Sequence, residues 1–388
     1  SAMTAAAADL EVATGRWGTT VRVDGPALLG ERAALAGMSR QGSVSVGGAA
    51  QFVRTRTGWI VLNLPRPEDV ASLPALVGAS VDPDDWPTIS ARLAAMPGFV
   101  VVETAALLGL AAAVPASVDR TAHPAGETHR GGARRVTEQP LVVDMSSLWA
   151  GPLLTSLLAE AGARVIKVEG RGRPDGARRG SSAFFDLLNH DKECLALDFS
   201  VAEDVAVLRR LIAAADLVVE GSRPRVMEGL GIEPDAVADG GTSWLSLTAH
   251  GRAGFAGHRV GFGDDTAVAG GLFIDGDPPM FVGDAIADPI AGLVGATVTA
   301  DLLAAERAAV VELPLARCAA WMSSRPIDAR VTRRADEWLV DTGDGDVLVA
   351  PPRARPPAPL APGVGEHDGR LRAEFGAPAD ERSAESAG

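Results

Sequence analysis

Cysteine is almost absent from this chain of 388 residues: Cys194 and Cys318 are the only two. They frame neither a disulfide scaffold nor a Cys/His metal site, and they predict a reducing, cytoplasmic setting. Tyrosine is missing altogether, so no phenol can act as general acid or base. Lysine is nearly missing, with Lys167 and Lys192 the only two among 36 cations. Positive charge is short overall: the net charge of −14 argues against a nucleic-acid partner. No apolar run approaches the ~20 residues of a membrane span, and the nearest, Ala105 to Val114, stops at Pro115, so no membrane partner is expected. No signal-peptide pattern opens the chain, and Ser1-Ala2 before Met3 reads as an expression remnant. There is no internal repeat, no Walker loop and no G-x-S-x-G elbow, and the first strand-to-helix turn lacks G-x-G-x-x-G, which weakens any dinucleotide reading.

What remains is an ordinary globular composition, 47% hydrophobic and 22% charged, long enough for two cores. Residues 1–115 read as a small α+β domain, with a hairpin over Gln51 to Leu64 around Thr57-Gly58 and a helix between Pro83 and Pro97. Residues 116–138 are polar and aperiodic and read as a linker. From residue 139 to 325 short apolar runs alternate with helical segments: Leu141 to Met145, Ala163 to Glu169, Cys194 to Phe199, Leu217 to Glu220 and Ser243 to Thr248 as strands, with helices between them. That alternation predicts an α/β fold, an open, mostly parallel, Rossmann-like sheet with helices on both faces. Residues 326–376 read as a hairpin and an extended segment, and 377–388 as a disordered tail.

The stretch Gly261 to Gly292 holds six aspartates, seven glycines and no cation. Such a region is either a solvated set of turns or a place that presents a carboxylate to a substrate. Asp275, in Asp275-Gly276-Asp277-Pro278-Pro279, is the candidate nucleophile. Local basic clusters at Arg171 to Arg179 and at Arg223 and Arg225 could meet an anionic small ligand. The bland readings are a surface turn at 275–279, solvated arginine loops, a helix start at Asp264-Asp265 and a helix cap at Asp288.

One succession of motifs carries a resemblance. Ala150-Gly151-Pro152 is followed by Gly162-Ala163-x-Val165-Ile166-Lys167-Val168-Glu169, then Asn189-x-x-Lys192 before Leu195-x-Leu197-Asp198, then Val218-Val219-Glu220-x-x-Arg223-Pro224 before Gly229-Leu230-Gly231. Over about residues 139–305 this resembles the class III CoA-transferases, which include formyl-CoA and carnitine CoA-transferases and the α-methylacyl-CoA racemases. The resemblance implies transfer of CoA from an acyl-CoA to a carboxylic acid through an aspartyl covalent intermediate. It places the nucleophile at Asp275, or at Asp277 with a small gap, and makes Asp288 the aspartate that begins the next helix. It implies CoA contacts at Leu148 and Trp149, at Asn189, His190, Asp191 and Lys192, at Gly221 and Ser222, and at Arg171. It further implies an interlocked homodimer, acyl-CoA as substrate and no tightly bound cofactor. The chain departs from the pattern at Gly221-Ser222, where the family has Asn-Phe, and at Gly229, where it has a cation. Two alternatives follow: a non-catalytic acyl-CoA-binding paralogue, or a racemase. The racemase needs a base pair that Gly261-Phe262-Gly263 and Ala236 do not supply, unless Asp264 substitutes.

Overall fold

The computed structural model describes residues 2–376 apart from 122, 136, 324–329, 335–336, 342 and 344. The tail expected over 377–388 lies outside the described residues. The chain begins with α1 (Ala2–Thr14), α2 (Gly25–Leu28) and α3 (Glu31–Ala36). A three-stranded antiparallel sheet follows: β1 (Ala50–Thr55) and β2 (Gly58–Asn63), then α4 (Pro67–Ala71), α5 (Leu73–Val77), α6 (Trp86–Ala95) and α7 (Gly98–Leu107), then β3 (Ala111–Ala113). Helices α5 to α7 cover one face of that sheet through Leu73, Leu76, Ile89, Leu93 and Val101 against Val53, Ile60 and Leu62. Helix α6 starts where Asp85 accepts a hydrogen bond from Thr88 N and Pro87 occupies the first turn, as the sequence predicts.

The central sheet holds β4 (Gly126–Ala133), β5 (Leu141–Met145), β6 (Arg164–Gly170), β7 (Glu193–Leu197), β8 (Leu217–Glu220), β9 (Ser243–Thr248) and β12 (Arg307–Pro314), in the order β4-β12-β9-β8-β5-β6-β7. All pairs are parallel except β4 with β12. The connections carry α8 (Ala150–Glu160), α9 (Ser182–Asn189), α10 (Ala202–Ala214), α11 (Pro224–Gly229) and α12 (Pro234–Asp239). Between β9 and β12 lie α13 (Gly263–Ala269), the short hairpin β10 (Phe273–Ile274) and β11 (Met280–Phe281), and α14 (Ala287–Ala304). Helix α15 (Leu315–Ser323), strands β13 (Arg330–Arg334), β14 (Glu337–Asp341) and β15 (Asp346–Leu348), and α16 (Asp368–Phe375) complete the chain. The apolar residues of β5, β6 and β8 run on both faces because helices bury both of them. One face packs on α1, α8 and α14, the other on α10, α11, α12 and α16. The fold is α/β, as expected.

Two expectations about organisation change. Residues 2–28 do not belong to the small sheet: Met3, Leu10, Val21 and Leu28 join the core beneath the large one. Burying α14 needs a cover, and α1 supplies it. The segment expected to be a linker contributes β4 as the antiparallel edge strand, whose outward residues are the polar ones that made it read as a linker. Helix α14 has only Asp288 and Asp301 as charges because most of it is core.

After β7 the chain returns to place β8 on the other side of β5. This reversal of strand order opens a crevice at the carboxyl ends of β5 and β8, where ligands of open α/β sheets bind. The loops that leave it begin at Ser146 and Gly221, and a Cβ on Gly221 would lie 3.9 Å from Ser146 Cα.

Candidate active site

The aspartate-rich stretch splits into two environments. At the tip of the β10–β11 hairpin Asp275 is exposed, and its Oδ1 accepts a bond from Gly276 N at 3.0 Å. Asp277 is 80% exposed and accepts from Trp59 Nε1 at 3.2 Å and Arg54 Nη1 at 3.3 Å. These are turn contacts of the kind aspartate makes locally. The candidate nucleophile Asp275 is therefore a surface residue, and the acidic turn that singled it out closes a hairpin. Asp277 rests on the turn end of β1–β2. The other end of β2 carries Asn63, about 13 Å further along at the usual strand rise.

Asn63 marks the second environment. Its Nδ2 donates to Asp265 Oδ1 at 2.8 Å, and Phe262 N donates to the same oxygen at 2.8 Å. Asp264 and Asp265 form the first turn of α13, Asp288 stands in the first turn of α14, and Asp284 precedes it. Asp264 (7% exposed), Asp265 (0%) and Asp284 (2%) are buried, whereas Asp288 is half-buried and the most exposed of the four. Gly263 allows the approach: a Cβ there would lie 2.3 Å from Ala285 O and 2.4 Å from Asp288 Oδ2.

Arg32, from α3, balances the cluster. Its Nε and Nη2 donate to the two Asp284 oxygens at 2.8 and 2.5 Å, and its guanidinium lies 5.2 Å from the Trp149 ring centre. Trp149 is buried, meets Phe184 edge-on at 5.1 Å, and its Nε1 has no partner among the described residues. It opens α8 at the Ala150-Gly151-Pro152 turn, after Leu148 in a left-handed conformation with φ of 69°. One turn beyond Asp288, on the same face of α14, a Cβ on Gly292 would lie 2.9 Å from Ala150 O. Asp288 therefore stands beside the end of the crevice formed by Leu148 and Trp149.

Burial pushes the Asp288 carboxyl up to about 7; Arg32 opposes this, and Asp264, Asp265 and Asp284 add to it. Burial likewise raises Asp264 to about 6 and Asp265 to about 7. Asp265 Oδ2 has no partner among the described residues. An acid raised in the folded state contributes its stability below the unfolded value near 4 and loses it as pH rises through 7. Asp265→Asn, which places an N–H at that oxygen, is expected to stabilise the protein at pH 8 by on the order of 1 kcal/mol and to change little at pH 4. Denaturant midpoints at the two pH values check this.

On the other side of Phe262 lies a cationic pocket. Arg66 sits 5.8 Å over the Phe262 ring and shares a cavity of about 450 Å³ with Arg223, Arg225 and His258. Arg66 is paired with Asp69, whereas no side-chain hydrogen bond or ion pair of Arg223 or Arg225 is present among the described residues. Burial, then the like charges of Arg225, Arg66 and Arg173, pull Arg223 below the usual arginine range. Glu68 and Asp69 also line the cavity, but the Arg223 and Arg225 side chains pair with neither among the described residues, and crowded unpaired cations favour an anionic ligand. Gly221 and Ser222 begin the loop that carries these arginines. Ser222 N and Oγ donate to Glu220 Oε2 at 2.7 Å each, and Arg252 Nη1 holds Glu220 Oε1 at 2.7 Å.

The remaining expected CoA contacts lie elsewhere. Lys192 is buried, and its ammonium donates to Asp144 Oδ2, Pro152 O and Asn189 Oδ1, each at 3.0 Å. Burial lowers it to about 8 despite Asp144. Asn189 is buried with it and donates from Nδ2 to Phe185 O. Lys167 is buried too and pairs with Asp175 at 2.9 Å. Both lysines are thus occupied inside the sheet's helix layer and unavailable to phosphates. His190 contacts Asp191 at 3.0 Å, beside Ala361 and Pro362. Arg171 pairs with Asp368 of α16 at 2.6 Å. None of Arg171, His190 or Asp191 reaches the aspartate cluster. His250 is driven down to about 3 by burial and by Arg259, so it is neutral at physiological pH. Sequence reasoning missed Arg32 and Arg66, which lie outside the resembling region, and read Asp288 only as a cap. The signal for Asp288 was present: a carboxylate in the first turn of a helix whose only other charge is Asp301, near its far end.

Known proteins resemble this chain in sequence over the region of the large sheet. The family model described as CoA-transferase family III matches residues 138–352. A succinyl-CoA–D-citramalate CoA-transferase of Chloroflexus aurantiacus is 31% identical over 169 residues, 40% of this chain and 42% of that protein. A succinyl-CoA:glutarate CoA-transferase of Mus musculus is 31% identical over 39% of this chain and 38% of its own length. An acetyl-CoA:oxalate CoA-transferase of Acetobacter aceti is 28% identical over 39% and 43%. The chain thus spans about two fifths of the length of the curated relatives it matches. Among solved structures, a hypothetical protein (Rv3272) of Mycobacterium tuberculosis aligns over 54% of this chain and 65% of its own, at 26% identity and a TM-score of 0.47. The family match covers more than half of the sequence, and the chain belongs to CoA-transferase family III.

Proposed function

We propose that the protein transfers CoA from an acyl-CoA thioester to a carboxylic acid, with Asp288 rather than Asp275 as the covalent nucleophile. One observation carries this reading: of the carboxylates gathered at the crevice, Asp288 is the most exposed, and it stands at the N-terminus of α14 beside the Leu148-Trp149 turn.

The Asp288 carboxylate attacks the thioester carbonyl, forming a mixed anhydride and releasing CoA thiolate. The thiolate attacks the aspartyl carbonyl, releasing the first acid as carboxylate and leaving an aspartyl-CoA thioester. The acceptor carboxylate attacks that thioester carbonyl and expels the thiolate, giving a second anhydride. The thiolate then attacks the acceptor's acyl carbon, which yields the new acyl-CoA and frees Asp288. Thioester replaces thioester, so no nucleotide triphosphate is consumed, and each step is easier than direct exchange. The positive end of α14 favours the anionic nucleophile and the oxyanion that follows. Burial and the neighbouring carboxylates hold the Asp288 carboxyl near 7, which predicts a rate that rises with pH through that value.

The phosphates of CoA are assigned to Arg223 and Arg225, with Arg66 alongside. These cations take the place of the one absent at Gly229. Arg223→Ala with Arg225→Ala is expected to raise KM for acyl-CoA about 100-fold while kcat changes less than about threefold. The wild-type affinity for CoA is expected to fall with salt and the double variant's to fall less, read by calorimetric titration. A KM unchanged in the double variant places the phosphates elsewhere. The protein is further proposed to act in the cytoplasm as a homodimer with no tightly bound cofactor. Incubation with a panel of acyl-CoAs and free acids, with product acyl-CoAs read by mass spectrometry, tests the reaction. Exchange of α-hydrogen with deuterated water but no acyl exchange instead supports the racemase alternative, and neither outcome leaves a binding protein.

A further inference from the structure

The cation nearest the carboxylate cluster comes from outside the family-matched region. We propose that Arg32 is a positioning residue for the exchange reaction, one that clamps Asp284 and bears on Trp149 so that Asp288 is presented to the crevice as a carboxylate. This rests on the assignment of Asp288 as nucleophile.

Three contacts define the role. The Arg32 fork takes both oxygens of Asp284, four residues before Asp288, which fixes the turn that enters α14. Its guanidinium carbon lies over the Trp149 ring, 5.2 Å from the centre, which fixes the turn that enters α8. A single guanidinium thereby spans the two helix N-termini that border Asp288. A lysine offers neither the fork nor the flat face. The helix carrying Arg32 is itself tied down. Glu31 is buried and takes Arg355 Nε and Nη2 at 2.7 and 3.0 Å, and a Cβ on Gly30 would lie 2.9 Å from Pro352 Cβ. The extended segment after β15 thus straps α3 onto the site.

The charge balance points the same way. The groups acting most strongly on Asp288 are Arg32 of α3, Asp264 and Asp265 of α13, and Asp284 of the entering turn. The other elements packed on α14 contribute Asp9 and Glu11 (α1), Glu160 (α8), Arg317 and Cys318 (α15), and Arg307 and Glu312 (β12), none of them among those groups. Three carboxylates push Asp288 toward its neutral form, and the Arg32 guanidinium opposes them.

The test compares Arg32→Gln and Arg32→Lys in the full chain by the pH profile of kcat/KM for acyl exchange. The carboxyl titration is followed in parallel by NMR of 13C-aspartate-labelled protein. Arg32→Gln is expected to raise the midpoint by about one pH unit and to lower kcat/KM at pH 7 several-fold, with the loss recovered at high pH. Arg32→Lys is expected to restore most of the midpoint while kcat stays below wild type. An unmoved midpoint in Arg32→Gln, or equal shifts in both variants, overturns the proposal. Should Arg32→Gln fail to fold, Arg355→Gln releases α3 while leaving Arg32 in place. A partial rise of the midpoint then supports the role, and no change overturns it. Asp288→Asn is assayed alongside. If it is inactive and the Arg32→Gln midpoint is unmoved, only the role of Arg32 fails; if it is fully active, the nucleophile assignment fails.

Discussion

Asp288→Asn is expected to lower acyl exchange by at least about 10³-fold, while Asp275→Asn and Asp277→Asn stay within about twofold of wild type. The amide keeps the shape of the carboxylate and the hydrogen bonds of the α14 entry, so the loss reports the nucleophile rather than the fold. Stability separates the two effects. Asp288 is a carboxyl whose ionisation burial disfavours, so its charge costs stability above pH 7. The Asn variant is therefore expected to unfold at the same or higher temperature than wild type at pH 8. An inactive variant that is also strongly destabilised would not meet this expectation. Initial rates with one acyl-CoA and one acceptor acid, with thermal melts on the same preparations, provide the measurement.

Lys192→Met is expected to destabilise the protein by about 3–5 kcal/mol, because it leaves Asp144 buried without its ammonium partner. Asp144 is fully buried, and Lys192 together with the more distant Lys167 holds its carboxyl below the ordinary range against the effect of burial. Thr155 Oγ1 also donates to it at 2.7 Å, but a hydroxyl does not neutralise the charge. If Lys192 instead neutralised a CoA phosphate, the variant would show a raised KM for acyl-CoA at unchanged stability. Urea midpoints and KM values on one preparation distinguish the two. The double variant Lys192→Met with Asp144→Asn is expected to recover much of the loss, since no uncompensated charge remains.

The layout of the sheet was legible because its signals are local. Leu217 to Glu220 and Ser243 to Thr248 are short, largely apolar runs, and each is the strand its composition predicts. The loops at Leu148-Trp149 and Gly221-Ser222 were legible as members of a known motif order, and strand order then brings them to one crevice. The nucleophile was not legible in the same way. Asp275 and Asp288 both follow glycine-rich sequence, and local turn chemistry favours the first. What separates them is their surroundings: one lies at the tip of a two-residue-strand hairpin, the other among Arg32, Asp264 and Asp284. Lys192 misled for the same reason. A lysine near a CoA motif reads as a phosphate ligand until Asp144, 48 residues earlier, is seen to take its charge. Arg32 and Arg66 carry no motif and enter the site only through long-range packing, as does the edge strand β4, whose partner β12 follows almost the whole intervening domain.

The most direct test is to locate the covalent intermediate. Wild-type protein incubated with acyl-CoA and reduced with borohydride converts an aspartyl-CoA thioester to a homoserine residue at the reacting position. Residues 261–292 contain no lysine or arginine, so trypsin leaves Asp275 and Asp288 in one peptide, and backbone fragmentation between Pro278 and Pro289 must separate them. The account predicts the altered residue at Asp288 and none at Asp275 or Asp277. Modification at Asp275, with Asp288 untouched, would contradict it.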